Sequence, residues 1–235
     1  FLNNTDLLVS MSEGKVVLME FEQNPNIGIF MFVNNHFCLL GKEVNQKKRE
    51  EIQHILGVPV HQVKVLGTEL VGVFVNGNDE FLLVPDLYEH ERSQFEALAQ
   101  EYGLKLYTIE DKLNTLGNNL FVGEQEIWCN YQYPETVKQQ LKELTGYEIY
   151  PFNDSQYEAA GTVMIYINGN YYVSQDLEEE ALGEHLESIS GAGTINHGSN
   201  FIASGLVGNS QGLLLGSHST TVEIQNVVEA LDFLE

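Results

Sequence analysis

Apolar positions along this chain fall in pairs of short runs that recur at a nearly constant interval. Gly28, Gly72, Gly117, Gly161 and Ala203 each open an apolar run, and they stand 44, 45, 44 and 42 residues apart. Six or seven residues later a break carries Asn34, Asn78, Gly123, Asn168 or Asn209, and a second apolar run follows. A segment with apolar positions at helical spacing closes each unit. A fixed interval of this size marks a repeat architecture, whose units bury their apolar faces only against one another.

The runs predict the elements. In unit one, Ile27–Val33 and Phe37–Leu40 read as strands turning at Asn34-Asn35, before a helix over Val44–Leu56 with Ile52, Ile55 and Leu56 on one side. Unit two places Leu70–Val75 and Phe81–Val84 around Asn76-Gly77-Asn78, a good hairpin signal because both central residues tolerate positive φ. Its helix starts at Tyr88 and carries Phe95, Leu98, Ala99 and Tyr102. Unit three runs from Leu116 through Trp128, with a helix after Pro134 bearing Val137, Leu141 and Leu144. Unit four has strands at Val163–Ile167 and Tyr171–Val173 and a predicted helix over Glu178–Ser190, with Leu182, Leu186 and Ile189 inward. Unit five has Phe201–Val207 and Leu213–Leu215. Its helix is capped near Thr220 or Thr221, with Glu223 in the first turn and Ile224, Val227, Val228 and Leu231 inward.

Short connecting strands are expected at Lys64–Leu66, Lys105–Tyr107 and Glu148–Tyr150. Hairpin sheets must hide one face and helices one stripe, so five such units close best around an axis with the helices outside. The predicted fold is α/β: a five-bladed α/β propeller with five-fold pseudosymmetry. It is read as a single domain over residues 17–235, preceded by an extension over residues 1–16.

Charge changes the picture of partners. Thirty-four Asp and Glu against 11 Lys and Arg give a formal net charge of −23. A nucleic-acid-binding protein presents cations to phosphates, and this chain has few, so DNA is not expected and RNA is expected only at a small contact. An acidic surface favours encounter with basic proteins. No apolar run approaches the roughly 18 residues of a membrane span. Phe1–Ser10 has neither the basic region nor the apolar stretch of a secretory signal. A cytoplasmic, membrane-free protein is the expectation.

Reactive chemistry is sparse. Histidines at positions 36, 54, 61, 90, 185, 197 and 218 show no metal-ligand spacing, so neither a metal nor a cofactor is expected. Gly191-Ala192-Gly193 lacks the lysine of a phosphate-binding loop. Cys38 and Cys129 fall inside predicted strands, where apolar neighbours raise a thiol pKa.

Several stretches together carry a family resemblance. They are Gly193-Thr194-Ile195-Asn196-His197-Gly198-Ser199, Ile202 through Val207 with Asn209, and Ser219 through Ile224. Leu116-Gly117-Asn118 and Gly72 through Pro85 join them, as does Phe21-Glu22-Gln23-Asn24 before Ile27-Gly28. In this order the chain resembles the eukaryotic and archaeal translation initiation factor 6 family, over about residues 17–234, with a pentein-like propeller fold. The resemblance implies a non-catalytic factor, monomeric off the ribosome, that binds the large ribosomal subunit at its intersubunit face. There it sterically prevents joining of the small subunit. A basic ribosomal protein with RNA nearby is the implied contact. It further implies a role in large-subunit maturation and, in a eukaryote, presence in the nucleolus and nucleus. Pseudosymmetry nominates the binding face: Gly28, Gly72, Val73, Gly117, Asn118, Gly161, Thr162, Ala203 and Ser204, with Asn118 foremost. Val73 stands where the family commonly has Arg. Two other readings remain open. One is a propeller enzyme acting on guanidino compounds, like the amidinotransferases and arginine deiminases. Those enzymes carry a thiolate in the last unit, and unit five here has no cysteine. The other is an acidic scaffold for other basic proteins.

Overall fold

The five repeats fold as five copies of one small sheet arranged about an axis. The structure, a computed structural model, describes residues 15–183 and 188–233. The chain enters through β1 (Val16–Met19), which pairs with the last sheet and not with the first. The first sheet is β2 (Met31–Val33), β3 (Cys38–Leu40) and β4 (Val60–Gln62). The second is β5 (Asn76–Gly77), β6 (Phe81–Val84) and β7 (Lys105–Thr108). The third is β8 (Leu120–Val122), β9 (Glu126–Asn130) and β10 (Glu148–Phe152). The fourth is β11 (Met164–Ile167), β12 (Asn170–Ser174) and β13 (Ile189–Gly193). The fifth is β14 (Leu206–Gly208), β15 (Leu213–Gly216) and β1.

In every sheet the first two strands are antiparallel and the third is parallel to the second. A parallel neighbour needs a crossover, and in the first four sheets the helix region between second and third strand supplies it, whereas in the fifth the third strand comes from the other end of the chain. The helices are α1 (Gln46–Leu56), α2 (Glu89–Tyr102), α3 (Glu135–Thr145), α4 (Glu179–Leu182) and α5 (Thr221–Ala230). Asn45 caps α1 by accepting from Lys48 N at 2.9 Å, and α1, α2 and α3 end on glycines 57, 103 and 146 at φ 65°, 71° and 77°. At those positive φ values only glycine is free of Cβ strain. Thr220 caps α5 in a box with Glu223, as its sequence predicts.

Each helix packs between two sheets, so no unit has a core of its own. Ile52, Ile55 and Leu56 of α1 meet Val207 and Leu214 of the fifth sheet as well as Cys38 and Leu40 of the first. Phe95 and Leu98 of α2 pack on Phe37 and Leu39 of the first sheet and Leu82 and Val84 of the second. Val137 and Leu141 of α3 share a cluster with Phe81 and Leu83 of the second sheet. Ile224, Val227 and Val228 of α5 share one with Ile167 and Tyr172 of the fourth. This offset interlocks the blades.

Four expectations need correction. The first apolar run of each unit is not wholly strand. Its opening residues coil into one helical turn, at Ile27–Phe30, Val71–Phe74, Leu116–Asn119, Ala160–Val163 and Ile202–Gly205. The crowded axis forces this, because neighbouring units meet there backbone to backbone. The connecting strand of unit one is Val60–Gln62, whereas Lys64–Leu66 leads into a tight turn with Leu66 and Gly67 at φ 52° and 73°. Of the helix expected over Glu178–Ser190, the described residues show an α-helix at Glu179–Leu182, residues 184–187 lie outside the described residues, and Ile189 lies in β13, where parallel pairing with β12 claims it. Leu186 lies outside the described residues. Finally, the strand at the N-terminal end completes the fifth blade: Val16 pairs with Leu213 and Met19 with Gly216. Of the extension expected over residues 1–16, residues 1–14 lie outside the described residues.

Candidate functional site

Strand direction places the five inner turns at one end of the propeller, with the N-termini of the helices and the loops that follow each third strand. The hairpin tips and helix C-termini lie at the other end. At the inner turns, glycine is required by close approach. A Cβ on Gly72 would run into the carbonyl oxygen of Gly28, one on Gly117 into that of Gly72, and one on Gly161 into those of Gly117 and Leu120. Gly28 in turn faces Ala203 O. The glycine period is therefore a packing seam in which each backbone carbonyl lies over its neighbour's Cα.

Inside this ring a cavity of about 480 Å³ opens along the axis. All nine sequence-nominated residues line it: Gly28, Gly72, Val73, Gly117, Asn118, Gly161, Thr162, Ala203 and Ser204. The structure thus brings the whole nominated set together, and all but the buried Gly28 are half-buried. Asn26, Asn76, Tyr166, Ser199 and the exposed Phe201 also line it, and none of them was among the nominated face residues. No Asp, Glu, Lys, Arg or His appears in the lining, in a chain that is otherwise strongly acidic.

Most of the polar lining is committed to internal bonds. Asn76 Nδ2 donates to Leu120 O at 2.6 Å, and Thr162 Oγ1 donates to Ala159 O at 2.7 Å. Ser204 Oγ donates to Phe201 O at 2.7 Å and lies 3.2 Å from Asn26 Oδ1. Asn118, half-buried in the lining, uses its backbone N–H to close the turn onto Thr115 O at 3.1 Å.

The distinctive stretch Gly193–Ser199 also acquires a physical role. Asn196 and His197 turn at φ 50° and 63°, and the buried Glu223 holds this turn. Its carboxylate accepts from His197 N (3.1 Å), Gly198 N (2.8 Å), Thr220 N (2.7 Å) and Thr194 Oγ1 (2.7 Å). Burial alone would raise the Glu223 pKa, but these donors outweigh it and hold the carboxyl below its usual range. Glu91 does the same for the turn of unit two, accepting from Leu66 N and Gly67 N at 2.9 and 2.8 Å. The turn before the inner turn is thereby locked to the next helix start.

At the opposite end the recurrent asparagines form a clasp that sequence reasoning recorded only as a period. Asn34 Oδ1 accepts from His36 N and Phe37 N, while its Nδ2 donates to Asn78 O at 3.1 Å on the next blade. Asn209 repeats this, folding its own hairpin and donating to Asn34 O at 3.1 Å and Leu56 O at 2.8 Å. In unit three, where Gly123 replaces asparagine, the buried Glu126 accepts from Tyr171 OH at 2.6 Å instead.

The thiols are inert by position. Cys38 and Cys129 are fully buried, and burial pushes the Cys129 thiol up to about 11 and Cys38 further in the same direction. Among the described residues no group of three His, Cys, Asp or Glu side chains could hold a metal ion, and no helix is long and apolar enough to cross a membrane.

Comparison with known proteins fits this geometry. An amidinotransferase from Microseira wollei in the saxitoxin biosynthetic pathway superposes with a TM-score of 0.50 over 82% of this chain and 75% of its own, at 12% identity. That likeness shows the fold alone. Translation initiation factor 6 of Saccharolobus islandicus is 29% identical over 213 residues, covering 88% of this chain and 94% of its own length. Translation initiation factor 6 of Thermococcus onnurineus is 25% identical over 224 residues, covering 92% and 98%. The model of the eIF-6 family matches residues 16–230, from β1 through α5 and so across all five blades, and the chain belongs to that family.

Proposed function

We propose that this protein binds the large ribosomal subunit at its intersubunit face and blocks joining of the small subunit by occupying the space that subunit needs. A role in maturation of the large subunit follows from the same binding. The observation that carries the reading is the span of the family match: residues 16–230 include both partners of the β1–β15 closure, so the family unit is the sealed body itself. A steric block needs rigidity, and blades that share cores, carbonyl–glycine seams and asparagine clasps supply it.

The inner-turn end is the face we assign to the contact, with Asn118 as its leading polar group. Its uncharged cavity excludes no water-poor partner surface, while the acidic exterior favours a basic ribosomal protein. A catalytic role for guanidino substrates finds no support in the same cavity, whose lining offers no carboxylate to meet a guanidinium and no thiol.

Sedimentation with purified subunits tests the reading. The protein is expected to travel with free large subunits, to be absent from joined ribosomes, and to reduce the joined fraction when added first. Equal recovery with free large subunits and with joined ribosomes rules the mechanism out.

A further inference from the structure

Few large apolar side chains of this molecule face solvent, and two of them belong to one connected strip. Phe201 is 50% exposed and Tyr131 is 41% exposed. Tyr131 OH reaches Glu158 Oε1 at 3.5 Å, and Gln132 Nε2 donates to Glu158 Oε2 at 2.7 Å. Tyr157, the residue before Glu158, meets the Phe201 ring edge-on with centroids 5.9 Å apart. Asn200, the residue before Phe201, donates to Asp176 Oδ2 at 2.6 Å. The strip thus crosses blades three, four and five at the inner-turn end and reaches the cavity mouth through Phe201.

Its charge is one-sided. Glu158 and Asp176 are exposed, and neither meets a Lys or Arg among the described residues. On blade one, by contrast, a cation sits among the acids: Lys42 Nζ lies 2.6 Å from Glu22 and 3.0 Å from Glu69, over the Phe30 ring. Exposed rings beside unmatched carboxylates suit long cationic side chains, whose methylene stems cover the rings while the charged heads meet the carboxylates. Phosphates would find only repulsion here.

We infer that the Tyr131–Glu158–Phe201–Asp176 strip docks a basic, extended segment of the partner protein rich in Lys and Arg, and that it orients the propeller on that partner. This rests on the ribosome-binding reading and adds to it a specific half of the face and the chemistry of what lies on it.

The test compares three proteins by sedimentation with purified large subunits over a series of salt concentrations. They are the unaltered chain, the triple variant F201A/E158Q/D176N, and the control E51Q/E96Q, whose changes lie on the exposed outer faces of α1 and α2. Thermal melts confirm that all are folded. The triple variant is expected to bind at least about tenfold more weakly and with a shallower salt dependence, while the control stays within about twofold. Unchanged binding of the triple variant overturns the inference and leaves the ribosome reading standing. So does tighter binding, which an RNA contact at this strip would give. If the unaltered chain does not bind subunits, that reading fails, and a second arm decides the strip: fluorescence-polarisation binding of a labelled peptide of alternating Lys and Leu. Weaker peptide binding by the triple variant than by the control supports the strip, and equal binding removes it.

Discussion

The backbone carbonyl of Gly28 occupies the space that a Cβ on Gly72 would need. That relationship passes from blade to blade, from Gly72 to Gly117 and from Gly117 to Gly161, and it makes the glycine repeat a property of the ring and not of any single turn. Ala203 takes the corresponding position in blade five and presents its carbonyl to Gly28. The consequences can be measured one at a time.

Gly72→Ala and Gly117→Ala should each destabilise the fold by about 2–3 kcal/mol, since the obstructing atoms are backbone and cannot swing away. At this chain length that lowers Tm by about 4–12 °C. Ala203→Gly, at a position that already accepts a methyl, should cost under about 1 kcal/mol. Equal effects at all three positions would contradict the seam.

Asn209→Ala should cost about 2–4 kcal/mol in urea unfolding, because it strips partners from two carbonyls and two N–H groups around a buried side chain. Asn209→Asp is informative. It keeps the acceptor for Gln211 and Gly212 but sets a carboxylate against the carbonyls of Asn34 and Leu56, so it should be at least as damaging as alanine.

Glu223 links stability to pH. Its folded pKa lies below the unfolded value of about 4.3, so its contribution is complete above that value and is lost as pH falls through the folded pKa. Between pH 5 and pH 3, Tm of the unaltered protein should therefore fall more steeply than that of E223Q. Parallel curves would show that the turn at Asn196-His197 is not held by this charge.

Both thiols should be silent to an aromatic disulfide reagent at pH 8 in the native state and reactive after denaturation, because burial suppresses the thiolate at each. C38S/C129S should bind large subunits like the unaltered chain. A fast-reacting native thiol would reopen the enzymatic reading.

Asn118→Ala should weaken binding to large subunits about tenfold, the scale of a polar interface anchor. Its Tm should move by no more than about 2 °C, since the side-chain amide makes no internal bond that the fold depends on. A large fall in Tm would mark Asn118 as structural.

The sequence by itself determined the number of blades, the hairpin of each blade, and four of the five helices, the last with its cap. Those signals are local: a glycine at a fixed interval, an Asn-Gly turn, apolar positions three and four apart, Thr220 with Glu223. It also nominated a set of residues that the fold gathers around one cavity, because pseudosymmetry maps equal positions in the repeat to equal positions about the axis. Only the tertiary structure decided that the five blade-opening segments coil into single turns, since the cause is a carbonyl on a neighbouring blade. Only it showed Val16–Met19 lying beside Leu213–Gly216, a parallel pairing between opposite ends of the chain that leaves no local trace. The strip from Tyr131 to Asp176 is of the same kind: its rings and carboxylates come from three blades, and proximity across blades is set by ring closure and not by distance along the chain.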